Sequence, residues 1–133
     1  MADNTMKVRI LSPEKVFYEG EVSFIEFNTT AGVRGIYPKH VPTTMVLQPG
    51  VLKLVEADGE KQAALHTGFV EVLPDKITML AESVEWPEEI DEKRAEEAKI
   101  RAERRISDDT QDQNRAELAL KRAVVRLSLC KVK

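Results

Sequence analysis

Six arginines near the end of the chain recur at matched spacings. Residues 94–105 and 115–126 are identical at seven of twelve aligned positions, and the arginines of the two segments pair up: Arg94, Arg101 and Arg105 with Arg115, Arg122 and Arg126. At about 100° per residue, steps of seven and eleven residues return to within roughly 20° of the starting direction on a helix. Each segment therefore predicts a narrow row of guanidinium groups, which are well suited to binding phosphates or acidic protein segments.

An ordinary solvated helix surface also accounts for these rows. Glu97 and Arg101, like Glu117 and Lys121, have the (i, i+4) spacing of helical ion pairs. The sequence matches neither G-x-x-x-x-G-K-[ST] nor G-x-G-x-x-G, the glycine-rich loops that bind phosphates. The pattern alone leaves both interpretations open, and a phosphate ligand would be held by side chains without a hydrolytic apparatus.

The other residues with chemical potential do not form a recognisable site. His40 and His66 are the only histidines, and they lack Cys/His companions at metal-ligand spacing. Cys130 lies in the apolar run 124–132 and is expected to be a small hydrophobic residue. Because no Ser–His–acid trio or carboxylate pair stands out, we predict no catalytic residue and no metal ligand.

Composition limits the class of protein. The 133 residues suffice for one ordinary domain or a small domain with an appendage, and the net charge of −3 argues against a nucleic-acid partner. One cysteine cannot form an intrachain disulfide. The start, MADNTMKVRIL, lacks the apolar segment of a signal peptide, and no run approaches the roughly 20 apolar residues that span a bilayer. We therefore expect any membrane association to be indirect, through a partner.

Short apolar runs occupy the region from Val8 to about Glu85. Several alternate apolar and polar residues, as in Val70, Glu71 and Val72. Turn signals separate the runs at intervals of roughly 8–12 residues: Gly32, Pro49-Gly50, Asp58-Gly59, Gly68 and Pro74-Asp75. This spacing is typical of an antiparallel sandwich or barrel, and Asp58-Gly59 predicts a β-hairpin.

The pattern changes at Trp86-Pro87. Residues 88–133 contain neither Gly nor Pro, and Pro87 suits the first position of a helix. The one break in the helical pattern is Ser107-Asp108-Asp109-Thr110, which can turn the chain and cap a second helix. We predict an α+β fold, with an antiparallel β-sandwich over 1–86 and an antiparallel two-helix hairpin over 87–133.

Such a hairpin would place both arginine rows on one face. Alanines follow each row and offer close contact faces for the two helices: Ala95, Ala98 and Ala102, and Ala116, Ala119 and Ala123. The approximate two-fold axis of an antiparallel pair carries the front of one helix onto the front of the other. Since alanine buries little apolar surface and short helices are marginally stable alone, we expect the hairpin to dock weakly.

Three motifs resemble a known family. They are Gly-Ile-x-Pro-x-His (Gly35, Ile36, Pro38, His40), Gly-Phe-x-Glu-Val (Gly68, Phe69, Glu71, Val72) and Ile-Asp-x-x-Arg-Ala (Ile90, Asp91, Arg94, Ala95). With a β region followed by an Ala/Arg-rich pair of helices, the chain resembles the epsilon subunit of bacterial F-type ATP synthases, from about Met6 to the end.

The resemblance implies a non-catalytic rotor-stalk protein that couples rotation to ATP synthesis. Its expected partners are the gamma subunit, the c-subunit ring and the alpha and beta subunits, with a peripheral location on the cytoplasmic side of the cell membrane. The helices are expected to be either compact on the sandwich or extended toward alpha and beta, where they restrain ATP hydrolysis. No cofactor is required. ATP, with or without magnesium, is implied as a regulatory ligand of the compact hairpin.

The resemblance also assigns residues. By position, Glu85, Ile90 and Asp91 are expected near the adenine, and Arg94, Arg101, Arg122 and Arg126 near the phosphates. The loop expected to face the c ring or gamma comprises Gly35, Ile36, Tyr37, Pro38, Lys39 and His40. In the extended form, Arg105, Arg115 and Lys121 are expected to face acidic segments of the beta subunit. The alternative is a stand-alone ATP-sensing module controlled by its ligand alone.

The loop departs from the family pattern. Tyr37 and Lys39 stand where the family commonly has Leu and Gly or Asn. If position 39 requires a positive φ, a lysine there is disfavoured relative to glycine. The sequence alone does not determine the conformation of this loop.

Overall fold

The computed structural model describes residues 4–108 and 112–130. It contains ten strands and two α-helices within those residues. The strands are β1 (Met6–Leu11), β2 (Val16–Val22), β3 (Phe24–Thr29), β4 (Gly32–Ile36), β5 (Thr43–Leu47), β6 (Gly50–Glu56), β7 (Gly59–Leu65), β8 (Gly68–Val72), β9 (Lys76–Ala81) and β10 (Val84–Glu85). A 3₁₀ helix at Pro87–Glu89 leads into α1 (Glu92–Ile106) and α2 (Gln113–Cys130). Of the predicted break between the helices, Asp109 and Thr110 lie outside the described residues, as do 131–133 of the predicted hairpin.

The strands form two layers that face each other. One layer contains β10, β7, β6, β3 and β4, and the other contains β5, β8, β9, β1 and β2. A single pairing, Thr29 opposite Leu47, joins the layers between β3 and β5. Tyr18 of β2 donates a hydrogen bond across the sandwich to Glu56 of β6. The predicted fold class, a β-sandwich followed by two helices, is confirmed.

One strand pairing is parallel rather than antiparallel. β1 pairs antiparallel with β2 but parallel with β9, with Lys7 opposite Lys76. The predicted hairpin at Asp58-Gly59 is present, since Glu56 pairs with Gly59 and the loop between them is two residues long. Gly59 has a φ of +144°, a value that side-chain-bearing residues rarely adopt.

The core lies between the layers and is closed by aromatic residues near the helices. Alternate residues of β3 point inward, so that Ile25 and Phe27 are fully buried. Trp86 stacks on Phe17, with ring centroids 4.4 Å apart. This contact fixes the chain at the point where the sandwich ends and the helical part begins.

The two helices pack against each other through their alanines. Ala95 and Ala102 of α1 and Ala116 and Ala123 of α2 are buried. Helix α2 also contacts β6 and β7. A small apolar cluster forms this contact: Ala64, Ile90, Leu129 and Cys130, with Val51 and Val125 at its edge. Within the described residues, neither helix has the length and hydrophobicity needed to cross a bilayer.

Candidate functional site

A cavity lies at the root of the hairpin, where β10, the 3₁₀ helix, α1 and α2 meet. Its volume is about 280 Å³, near the lower end of the range for ligand pockets. The lining residues are Glu85, Glu89, Asp91, Arg94, Ala95, Ala98, Arg101 and Arg126. We call this space the ligand cavity. It gathers two predicted arginines from α1 and one from α2 beside three carboxylates.

The start of α1 positions the first two arginines. Asp91 is the N-cap, and its Oδ1 accepts a hydrogen bond of 3.1 Å from the Arg94 backbone nitrogen. Arg94 therefore lies in the first turn, and Arg101, seven residues later, returns to the same side of the helix. The small side chains of Ala95 and Ala98 leave open space between these arginines, which a larger side chain would fill.

An ion pair connects α2 to the last strand of the sandwich. Arg126 Nε lies 2.7 Å from Glu85 Oε1, and the two side chains are 28% and 26% exposed. Partial burial acts to raise the pKa of Glu85, but hydrogen bonds from His66 and Arg126 outweigh it. The pKa of Glu85 consequently lies below its ordinary value, and the carboxylate is charged when it pairs with Arg126.

His66 lies next to Glu85, on the side of the sandwich. The His66 Nε2 is 3.3 Å from Glu85 Oε1, the same oxygen that accepts from Arg126. The imidazole is fully buried, and its Nδ1 has no hydrogen-bond partner in the described part of the chain. No local sequence pattern indicates this arrangement, because His66 and Glu85 are 19 residues apart and come together only through the pairing of β7 with β10.

Two residues assigned to the nucleotide do not line the ligand cavity. Ile90 is 4% exposed and packs in the cluster beneath α2. Arg122 points to the sandwich, where its guanidinium donates to Thr67 Oγ1 at 3.3 Å and to Glu82 Oε1 at 3.2 Å. The structure thus groups five of the seven assigned residues around one cavity and places these two beside it.

The remaining arginines of the two rows meet near the tip of the hairpin. Arg105 and Arg115 line a shallow depression together with Asp112 and Ala116. Asp112 Oδ1 accepts a hydrogen bond of 3.2 Å from the Arg115 backbone nitrogen. Both arginines and Lys121 are exposed. Arginines from both helices therefore share one side of the hairpin at the root and again near the tip.

The loop after β4 forms an exposed corner of the sandwich. Ile36 is buried, whereas the Tyr37 ring is 66% exposed and lies 4.7 Å from that of Phe24, centroid to centroid. Lys39 has a φ of +69°, so position 39 does adopt the positive value at which glycine is favoured. Its backbone nitrogen donates to Pro74 O at 2.6 Å, which fixes the turn. His40 Nδ1 is 2.7 Å from Val41 O.

Gly35 and Pro38 complete the loop that was assigned to partners. A Cβ at Gly35 would come within 2.8 Å of the Phe24 ring, so glycine permits the packing of this aromatic side chain. Pro38 lies in the turn and is partly exposed. The six assigned residues are contiguous in space as well as in sequence.

Three large apolar side chains lie exposed side by side on the sandwich. Val46, Phe69 and Leu80 are 45%, 58% and 53% exposed. They are direct neighbours across β5, β8 and β9, where Val46 pairs with Phe69 and Phe69 with Leu80. We call them the apolar row. Phe69 lies on the surface, whereas its neighbour Val70 is fully buried in the core.

Within the described residues, no group of three or more His, Cys, Asp or Glu side chains is arranged to hold a metal ion. The charged groups of the ligand cavity are suited instead to an organic anion that also carries hydrogen-bond donors. Its arginines can hold phosphates, and its carboxylates can accept from amino groups.

Two family models together match nearly the whole chain. The model of the ATP synthase delta/epsilon chain, beta-sandwich domain, matches residues 5–87, and that of the long alpha-helix domain matches residues 88–131. The ATP synthase epsilon chain of Shouchella clausii is 40% identical over 129 residues, covering 97% of each chain. That of Clostridium novyi is 44% identical, covering 94% of this chain and 97% of the relative.

Similar folds occur in solved ATP synthases. A chain in the structure of the Euglena gracilis mitochondrial ATP synthase, OSCP/F1/c-ring, superposes with a TM-score of 0.82 at 19% identity, covering 98% of this chain and 82% of that one. A chain in the central stalk/c-ring structure from Tetrahymena thermophila gives a TM-score of 0.54 at 20% identity, covering 93% and 92%. At these identities, the likeness is one of fold.

Proposed function

The chain belongs to the ATP synthase delta/epsilon family, as an epsilon subunit of the central stalk, and we propose that its compact hairpin binds ATP and its extended hairpin restrains ATP hydrolysis. It is a non-catalytic subunit, like the epsilon chains that it resembles over nearly its full length. The ligand cavity is the observation that supports ATP binding.

Charge within the ligand cavity favours a nucleotide with a definite orientation. Arg94, Arg101 and Arg126 provide three guanidinium groups, so the phosphates lie between the helices. Glu85 and Asp91 lie at the strand and helix ends, where they can accept from the amino group of adenine. Glu89 is already engaged, since its Oε1 accepts from the Trp86 backbone nitrogen at 2.8 Å.

Arg122 joins the phosphates only if it leaves its present partners. In the compact hairpin it bonds to Thr67 and Glu82, outside the ligand cavity. Both of those contacts are at the exposed edge of the sandwich, where an ion pair contributes at most about 1 kcal/mol. A triphosphate can therefore draw Arg122 away at small cost. Ile90 instead acts by packing the start of α1 against α2.

The docking contact of the hairpin suits a reversible switch. In the part of the chain that the structure describes, four buried residues hold α2 on the sandwich, and two of them are Ala64 and Cys130. A ligand that binds only the compact form adds about 2.7 kcal/mol at 100 times its dissociation constant, enough to shift a balance of that size. When the hairpin opens, the exposed cations Arg105, Arg115 and Lys121 are available to acidic segments of the beta subunit.

The sandwich provides the contacts with the rest of the stalk. The corner formed by Tyr37, Lys39 and His40 faces the c ring or gamma, and the apolar row faces gamma. A contiguous exposed apolar surface favours a subunit over a stand-alone sensor, because such surfaces usually mark protein interfaces. Through these contacts the chain is held peripherally at the cytoplasmic side of the cell membrane.

Calorimetric titration tests the ATP site. The purified chain is titrated with ATP, ADP and GTP, with and without magnesium, alongside Arg94→Ala and Arg104→Ala. Removal of Arg94 should weaken ATP binding by about 1.5–3 kcal/mol, or roughly ten- to a hundredfold, the range for a hydrogen bond to a charged group. Arg104 is exposed on the same helix and does not line the ligand cavity, so its removal controls for net charge.

Two results would count against the site. Absence of heat with the unmodified chain would remove ATP as a ligand. Equal weakening by Arg94→Ala and Arg104→Ala would show that binding follows overall charge rather than the ligand cavity.

A further inference from the structure

His66 is an unusual residue for the interior of this sandwich. Among the described residues, the buried polar side chains are Thr29 and His66. Thr29 has its hydroxyl satisfied, since it donates to Gly32 O at 2.8 Å and accepts from the Ala31 nitrogen at 3.1 Å. The His66 side chain instead makes one hydrogen bond, to Glu85, and its Nδ1 has no partner in the described part of the chain. A buried polar atom without a partner is costly, so the residue calls for a role beyond filling space.

The contact defines which ring nitrogen is protonated. A carboxylate oxygen only accepts, so the nitrogen that faces Glu85, Nε2, must donate. Nδ1 has no acceptor near it in the described part of the chain, which fits the neutral ring with its proton on Nε2. His66 is also fixed at its backbone, where its nitrogen donates to Ser83 O at 3.0 Å.

Glu85 transmits this contact to the ligand cavity. Its Oε1 accepts from His66 on the sandwich side and from Arg126 on the hairpin side. With Oε1 held from both directions, the carboxylate has a fixed orientation and Oε2 remains for a ligand. Because Arg126 uses Nε for this bond, its two terminal nitrogens also remain for a phosphate.

We propose that His66 is a positioning residue of the ATP site, whose Nε2–H fixes Glu85 and thereby aims Arg126 into the ligand cavity. The inference rests on the proposed function, since it concerns the same cavity. Arg122 and Glu82 form the other ion pair near this point. Both side chains hydrogen-bond to Thr67, the residue after His66, and not to the His66 ring.

Two substitutions of His66 separate positioning from packing. His66→Gln retains an N–H donor at the end of its side chain. His66→Leu keeps apolar bulk and removes the donor. Because the leucine also removes an unsatisfied buried atom, we expect the urea unfolding midpoint of the sandwich to stay near that of the unmodified chain.

Titration with ATP then gives the main result. We expect His66→Leu to weaken ATP binding roughly fivefold, and His66→Gln to recover most of the loss, since one hydrogen bond is at stake. The inference is overturned if His66→Leu binds ATP as tightly as the unmodified chain, or if His66→Gln binds as weakly as His66→Leu. Absence of ATP binding by the unmodified chain would overturn the proposed function and the inference together.

Ring nitrogen–proton NMR spectra provide a test that does not depend on the stability of the His66 variants. The chain has two histidines, and His40, which contacts the Val41 carbonyl, serves as an internal reference. We expect a proton on Nε2 of His66 and a shift of that signal in Glu85→Gln but not in Glu88→Gln, a change at an exposed neighbour. A proton on Nδ1, or no response to Glu85→Gln, would overturn the inference.

Discussion

The interior of the sandwich and the contact beneath the hairpin differ in what they bury. Over residues 4–108 and 112–130, the sandwich core joins twenty buried residues from both layers, many of them large, such as Ile25, Phe27 and Leu52. Among the described residues, the contact beneath the hairpin joins four, of which Ala64 and Cys130 are small. Buried apolar area sets most of the stabilisation, at about 25 cal/mol per Å². The two regions therefore differ in strength as well as in size.

The difference is the one that the proposed switch requires, a stable sandwich and a weakly docked hairpin. The sandwich core includes no described residue of α1 or α2, so we expect it to stay folded if α2 leaves its surface. Within the described residues, the hairpin is held by the four buried residues of this contact, two partly buried neighbours and two ion pairs, Arg126–Glu85 and Arg122–Glu82. Since its own helices meet largely through alanines, the proposed opening would expose little apolar surface.

Truncation in the sandwich core should have the largest effect. Phe27 is fully buried, and Phe27→Ala is expected to lower the free energy of unfolding by about 3–5 kcal/mol through lost contacts and the cavity left behind. Urea unfolding followed by circular dichroism measures this. Phe69→Ala, at a position 58% exposed, should change stability by roughly 0.5 kcal/mol or less. Similar costs for the two variants would contradict the assigned layers.

Truncation beneath the hairpin should have a smaller and more local effect. Leu129 is 2% exposed, and Leu129→Ala is expected to cost about 2–3 kcal/mol of docking free energy. Hydrogen exchange should become faster in α1 and α2 while protection in the strands is retained. Val124→Ala, on the exposed face of α2, is the control. If strand protection fell as far as helix protection, the two regions would be one cooperative unit.

Acid should loosen the hairpin by a still smaller amount. The pKa of Glu85 is lower in the folded chain than its ordinary value of 4.5, so its stabilising effect is present above about pH 4.5 and is lost as pH falls through the folded pKa. The loss should be at most about 1 kcal/mol, as for other partly exposed ion pairs.

The single tryptophan, Trp86, lies at the hairpin root, and its fluorescence can follow this change. The transition should be absent in Glu85→Gln, which has no carboxylate to protonate. A transition of unchanged size in that variant would assign it to another acid.

The smallest expected effect is at Lys39, in the loop after β4, and it is a gain in stability rather than a loss. Lys39 adopts a φ of +69°, and Lys39→Gly should raise the free energy of unfolding by a few tenths to about 1 kcal/mol. Lys39→Ala keeps the backbone strain and should give no gain. Thermal unfolding midpoints of the two variants provide the comparison, and equal midpoints would mean that the loop is not strained.

Local patterns predicted much of this architecture. The runs between turn signals became strands, the hairpin at Asp58-Gly59 formed, and residues after Pro87 became helical. The face of a strand was harder to predict where neighbouring residues were both apolar. Phe69 and Val70 both suit a core, and alternation shows that they point in opposite directions but not which one points inward.

The features that the sequence did not predict depend on contacts between residues that are distant in the chain. Arg122 has helical spacing with Arg126, yet Thr67 and Glu82 on the sandwich hold it beside the ligand cavity. His66 meets Glu85 because β7 and β10 are neighbours. A helical repeat predicts which residues share a side of one helix, but it contains no information on the strand ends beneath them.

The parallel pairing of β1 with β9 has a consequence for synthesis of the chain. Strand β1 completes its pairing only with a strand made near the end of the sandwich, Lys76–Ala81. Contacts between such distant segments form slowly, because a long loop must close first. Both helices follow β9 in the chain. The strands of the sandwich can therefore pair before the helices are made, and the helices can then dock on a folded surface.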